Sequence, residues 1–479
     1  KWVDFIMKER PTQPHTSEVV IATVDTKSVD LYGRWPWPRS RFAEMVRSLN
    51  EYYEGSTIGF DITFSEPEHN SAQTILEQTR QEFVTMNLGT GAKQQKYLRY
   101  LEEKGRAMDG DSQFGQALKE KPSTVLGYFF FANAANLEHL ADSEKIASAE
   151  RISGSEVSLV QGVIPPWAIP RGASVESNIQ KVYEGGVYSG FFNMRPDPED
   201  GTVRRVYLLM GYEDNIYPSL DLQILRHYLH ADSIQVNAQQ GFGISSIKVG
   251  EKVIQTNFDG SIMLNYKGGS ETFKHYSIYD INERTIPKEE LRDKIVLVGV
   301  TEVGIFDLRT TPVEVAYPGV EVHATLLDNM LTDSYFHLTD LNDLFTLLLI
   351  LGLGLVLGIA LPNLQNIYGT VLALVLMAGY VFIHRWMVME LLTWTSMIYV
   401  SLVILGTWAS ITLYRFLITD RDKRFIRGAF QQYLSPQVIN QLMEDPDLLK
   451  LGGERREMTA FFSDVQGFST ISEQLEPEE

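Results

Sequence analysis

The sequence predicts an α/β domain followed by three membrane helices, a helical linker and a final strand–turn unit. Three observations predict it. Short apolar runs rich in β-branched and aromatic residues alternate with stretches of helical periodicity over the first two thirds of the chain. Three long apolar stretches follow, 341–361, 367–383 and 391–418. The last residues, FFSDVQGFS from Phe461, place an acid and a glycine directly after an apolar run.

The first run, VVIATVD, ends on Asp25. RWPWPR follows, where Pro36 and Pro38 mark a turn and helical periodicity starts at Arg39. STIGFDITF is a second strand with Asp61 inside it. Residues 70–108, rich in Gln, Glu and Lys, read as helical. STVLGYFFF (123–131) and KIVLVGV (294–300) are further strands, and EVHATLLDNML after the latter reads as helix. This alternation implies a mainly parallel sheet covered on both faces. Residues 157–275, with stretches such as SIMLNYKG, add antiparallel strands.

Each apolar stretch is of a length that a helix needs to cross a bilayer, about 20 residues. Asn366, His384 and Trp386 flank the shorter second one as interfacial anchors. Arg421, Lys423, Arg424 and Arg427 follow the third, whereas Asp333, Asp340 and Asp343 lie at the entry to the first. The excess of Lys and Arg places the C-terminal side in the cytoplasm and residues 1–338 outside, in a multi-pass cell-membrane (inner-membrane) protein. Export of so large a domain needs a signal or an earlier span, so KWVDFIMKERP is expected to be the outer end of a preceding membrane helix. Gly354 and Gly358, and Gly406 and Ser410, have the small-xxx-small spacing that lets membrane helices pair.

Composition sets outer limits. With 61 Asp and Glu against 42 Lys and Arg, the net charge is −19, which disfavours nucleic acid as a partner. The absence of cysteine excludes disulfides and thiolate chemistry.

Several motifs admit two readings. Asp25 and Asp61, at strand ends, either bind a cation or an amine or cap helices and turns. RPDPEDG from Arg195 is a tight turn or an incomplete calcium loop. His227 and His230, three apart, are a metal pair or one exposed helix face.

Asp25, Trp35 to Arg39, Gly59-Phe60-Asp61, RPDPEDGTVRRV, KIVLVGV, Asp307 with Thr311-Pro312, and PGVEVHA from Pro318 come in an order that resembles the second CHASE type of bacterial extracellular sensor. The resemblance covers about 18–332, treats 70–108 as an insertion and implies an unknown extracytoplasmic ligand.

Beyond the spans, 419–452 reads as a transducing linker. A helical stripe of Phe425, Ala429 and Leu434 is broken at Ser435-Pro436, which restarts a helix closed by Pro446. Residues 453–479 resemble the start of class III adenylate and guanylate cyclases, in Gly452-Gly453-Glu454, Arg455-Arg456, a strand from Met458 to Ser463, then Asp464, Gly467, Phe468, Ser469 and Ser472-Glu473. That resemblance implies the first strand of an α+β, ferredoxin-like catalytic domain. In it Asp464 and the Val465 carbonyl would hold the two Mg²⁺ or Mn²⁺ ions, while Gly467, Phe468 and Ser469 would cradle a nucleoside triphosphate. It also implies a homodimer, ATP as substrate and cyclic AMP and pyrophosphate as products. Guanylate cyclase and a non-enzymatic, membrane-anchored ligand-binding protein are the alternatives. The further catalytic residues of such enzymes are expected beyond Glu479, so the chain is expected to be inactive alone.

Overall fold

The computed structural model describes residues 2–55, 57–69, 71–86, 91–133, 142–157, 159–301, 308–337, 340–393, 396–419, 457 and 459–473. Six parallel strands form its main sheet: β1 Val19–Val24, β2 Thr57–Phe60, β3 Thr124–Phe131, β4 Tyr188–Phe191, β5 His275–Ser277 and β6 Ile295–Val300. Their order is β5-β1-β6-β2-β3-β4, and Ser174–Glu176 pairs antiparallel with the outer end of β3.

Both sheet faces are buried, which is why the strands read as unbroken apolar runs rather than alternating ones. Val20, Ala22, Val24, Ile58, Phe60, Val296 and Val298 point into one hydrophobic cluster. Val19, Ile21, Ile295, Leu297 and Val125 point into the other. The first cluster is closed by α3 Arg39–Arg47, α6 Gly110–Glu120 and α10 Ile278–Asn282, with α2 Thr26–Tyr32 beside them. The second is closed by α9 Leu220–Tyr228 and α11 Gly319–Thr332. The chain therefore leaves β1 toward one face and β6 toward the opposite face, although these strands are neighbours. Such a reversal opens a crevice at the carboxyl ends, where α/β sheets gather ligand sites.

The expected helical insertion forms α4 Ser71–Thr85 and α5 Gly91–Ala107, which pack on each other through Phe83 and Tyr97. Two smaller helices, α7 Asp142–Ile152 and α8 Gln180–Tyr183, lie between β3 and β4 in sequence. The middle of the domain is antiparallel as expected: 209–212 pairs with 215–218, and 234–239, 243–249 and 252–255 form a meander.

The helix α1 Trp2–Glu9 opens the described chain. Its Val3, Ile6 and Met7 pack with Met263, Phe336 and Val388.

Among the described residues, three helices are long and apolar enough to cross a membrane: α12 Asp340–Asn363, α13 Asn366–Glu390 and α14 Met397–Tyr414. The third starts at Met397, later than the expected 391. Leu392 has a left-handed backbone (φ 47°) and Thr393 bridges to His337, so these two residues stand outside the helix. Val388, the Thr393 bridge and the Arg385–Glu9 ion pair (3.5 Å) tie the end of α13 to the sheet-bearing domain. Separately, near the end of α14, Arg415 donates to the carbonyls of Leu361 and Leu364 at 3.1 and 2.7 Å. Those are among the last carbonyls of α12 and its exit turn, which have no partner within the helix.

The linker, 420–456, and Asp307 lie outside the described residues. Residues 459–465 form no strand, contrary to the expectation for Met458 to Ser463. A strand exists only by pairing, and among the described residues none pairs with this run. Phe461 and Phe462 are 88% and 92% exposed. A short helix, α15 Phe468–Ser472, follows.

Candidate functional site

A buried polar cluster lies along α11. The helix starts with Pro318 at the N-cap and ends on Asp333 in the left-handed conformation (φ 53°). Every residue from Gly319 to Met330 is buried, so its polar side chains need partners within the protein.

They find them on every side. His323 places Nδ1 at 2.9 and 3.0 Å from the two carboxylate oxygens of Asp221, on the first turn of α9. A carboxylate only accepts, so Nδ1 carries the proton. Across the ring, Nε2 stands 3.6 Å from Asp61, just beyond β2. Glu321 accepts from the Glu271 amide at 2.9 Å and lies 3.5 Å from His275 Nε2. Burial pushes Glu321 up to about 7, with Glu271 and Glu314 adding to the rise against the backbone bonds. Burial pushes His275 down. Both shifts favour the neutral forms and so work against an ion pair between the two.

Farther along, Asp328 accepts from the Thr16 amide at 2.7 Å and lies 3.6 Å from Lys267 Nζ. Burial lowers Lys267 against the attraction of Asp328. Asn329 exchanges two bonds with the backbone of Asn265, at 2.8 and 3.1 Å, and Asn265 in turn accepts from Arg10. The arrangement fixes α11 to α9, the sheet edge and the N-terminal segment at once. His323 is 1% exposed, so no solute reaches it, and the histidine and acids act as anchors rather than as an acid–base pair for a substrate.

The family model of the CHASE2 domain matches residues 1–359, three quarters of the chain. The chain belongs to the CHASE2 domain family. This is an extracellular sensor domain, and in this chain three candidate membrane spans accompany it. No curated protein and no solved structure matches the chain.

The CHASE2 domain places its motifs as follows. Asp25 accepts from the Ser28 amide and the Ser277 hydroxyl, both at 2.9 Å, and caps α2. Asp61 joins His323 instead. Their strands, β1 and β2, are separated by β6, which puts the strand ends about 10 Å apart at ordinary strand spacing. One cation does not bridge them, and the cap and anchor roles replace the shared site. In the WPWPR turn, the Trp37 indole donates to the Gly33 carbonyl at 2.7 Å, and its ring packs near Phe42.

RPDPEDG is a turn organised by Arg204. The Gly201 amide bonds the Asp197 carbonyl, with Gly201 at φ 73° where a side chain would be strained. Arg204 binds Asp197 at 2.5 Å, Asp200 at 2.7 Å and Asp4 of α1 at 2.7 Å. These acids neutralise a guanidinium, which leaves no calcium loop. His227 uses both ring nitrogens, toward Thr57 Oγ1 at 2.8 Å and the Pro122 carbonyl at 3.1 Å. It is not one half of a metal pair with His230.

At the other end, Asp464 is exposed and its carboxylate accepts from the Val465 amide at 3.0 Å. Gly467 has φ 79°, and Phe468 and Ser469 open α15. Among the described residues, no group of three or more His, Asp or Glu converges where a metal ion would sit. Asp464 and the Val465 carbonyl are hard oxygen donors of the type Mg²⁺ and Mn²⁺ take.

The residues that sequence reading missed are Asp221, Asp328, Lys267 and Arg204. Asp221 follows the N-cap Ser219, where an acid is ordinary, so nothing local marks it as a buried partner of His323.

Proposed function

We propose that this chain is the sensing and membrane portion of a bacterial receptor cyclase that converts ATP to cyclic AMP and pyrophosphate on the cytoplasmic side. The single observation that carries the reading is the acid–turn–helix unit Asp464–Ser472, reached after a CHASE2 domain and three candidate spans. In this proposal residues 1–338 lie outside the cell membrane, 339–418 span it, and 419–452 transmit to a catalytic domain that starts at 453. Asp464 and the Val465 carbonyl would hold Mg²⁺ or Mn²⁺, two ions per site. When bound, these ions supply charge neutralisation and help the ribose 3′-hydroxyl lose its proton. Gly467, which has a positive φ, Phe468 and Ser469 would cradle the triphosphate, in a turn that the Phe468 amide closes on the Val465 carbonyl at 3.1 Å. Two chains would pair through the spans, the linker and the catalytic segments.

Asp464→Asn in the whole gene product tests this. The metal-dependent formation of cyclic AMP in isolated membranes is expected to fall at least 100-fold, because an amide is a poor ligand for a hard cation. A rate that is unchanged at saturating Mn²⁺ contradicts the role of Asp464. Cyclic GMP in place of cyclic AMP would instead support the guanylate cyclase reading.

A further inference from the structure

A cleft of about 330 Å³ opens at the carboxyl ends of β3 and β4, away from the α11 cluster. Its floor is apolar: Phe130, Met194 and Met210 are 2%, 8% and 4% exposed. Two exposed arginines, Arg171 and Arg195, also line it. Among the described residues neither has a carboxylate within ion-pair distance.

Both features are built rather than incidental. Asn193 holds the floor by bonding the amide and the carbonyl of Phe130 at 2.8 and 2.7 Å. Gly172 leaves room for the Phe130 ring, since a Cβ there would stand 2.8 Å from it. Arg171 lies flat over Gly211, where a Cβ would stand 3.0 Å from its Nη1, and donates Nη2 to the Glu213 carbonyl. Its guanidinium is thereby oriented before any ligand arrives. Arg195 opens the RPDPEDG turn, whose two aspartates, Asp197 and Asp200, are held by Arg204. Neither aspartate is therefore left to neutralise the arginine that starts the turn.

A guanidinium binds a carboxylate through two parallel N–H bonds, and more strongly at the rim of an apolar cleft than in bulk water. A chain of net charge −19 repels anions in general, so two arginines that have no carboxylate partner among the described residues, set over an apolar floor, select a small one. The volume lies at the low end of small-molecule sites, roughly 300 to 1,000 Å³. We propose that this cleft is the ligand site of the sensor domain and that it takes a small organic carboxylate with an apolar, single-ring body. The assignment rests on the sensor family and not on the cyclase reading.

Direct binding by titration calorimetry tests it without any nucleotide chemistry, using the whole chain in lipid nanodiscs. The probes are phenylacetate, benzoate and 3-phenylpropanoate, with phenylethylamine and inorganic phosphate as controls. At least one carboxylate is expected to bind saturably at one site per chain, and the two controls are not. Arg195→Gln and Arg171→Gln are each expected to weaken binding at least tenfold. Both side chains are exposed, so neither change threatens folding. Ala132→Trp, which keeps the charges and fills the cleft, is expected to abolish binding. Saturable binding that survives Arg171→Gln with Arg195→Gln overturns the proposal, as does the absence of binding by all three carboxylates. Phosphate binding as tightly as the carboxylates overturns the apolar part of the assignment.

Discussion

The helix Gly319–Thr332 and the stretch 459–473 both carry dense motifs, PGVEVHA and FFSDVQGFS, and they occupy opposite environments. In the first, the acids and the histidine are buried and each is met by a residue from another element. In the second, two phenylalanines and an aspartate stand in solvent. The difference teaches that a motif becomes a site only when the fold brings its partners. Asp221 is 102 residues from His323 in sequence, and folding closes that gap. Among the described residues, Asp464 has only its own neighbour's amide.

The largest test of this contrast is His323→Ala. It leaves the Asp221 carboxylate buried without its donor, and breaking such a buried pair costs about 3–5 kcal/mol. Thermal unfolding of the chain in nanodiscs should show the domain transition fall by many degrees. A shift within error would mean that α11 is not anchored through this contact.

Glu321→Gln gives a smaller effect that depends on pH. The carboxyl rises from 4.5 to about 7 on folding. The folded state then binds more protons than the unfolded chain between those values, so stability is full below about 4.5 and is lost as pH rises toward 7. The loss corresponds to about 3 kcal/mol. A glutamine carries no titrating proton. The variant should match the native chain at pH 4.5 to 5 and exceed it at pH 8, as read from unfolding midpoints across that range. Equal pH slopes for the two chains would exclude burial of an ionising Glu321.

Asp464→Asn should have the smallest effect on folding. The side chain is exposed, and surface changes of this type stay within about 0.5 kcal/mol. The same variant that is expected to silence nucleotide formation should therefore unfold at the native temperature. A marked drop would show that Asp464 is a structural group.

Much of this was legible in the sequence, for physical reasons that differ by element. β1 and β6 were readable because burial on both faces leaves an unbroken apolar run. α4 and α5 were readable from composition, and the three apolar helices from length. Asp25 admitted the cap it turned out to be, since a strand-end acid before a helix bonds the first free amides. Strand order was not legible: β6 sits between β1 and β2 although nearly the whole domain separates it from them in sequence. Nor were the partners of Arg204, which joins α1 to a turn almost 200 residues away. The run before Asp464 has a strand's composition, but composition supplies no neighbour to pair with.

The central proposal is a sensor on one side of a membrane joined by three candidate spans to a segment on the other. The chain contains no cysteine, so single cysteines can report its topology without background. Glu103→Cys, on the exposed insertion helix α5, and Gln466→Cys, beside Asp464, are both solvent-facing. Each is treated with a membrane-impermeant maleimide in intact spheroplasts and again after lysis. The account predicts labelling of Glu103→Cys before lysis and of Gln466→Cys only after it. Labelling of both before lysis, or the reverse order, would contradict it.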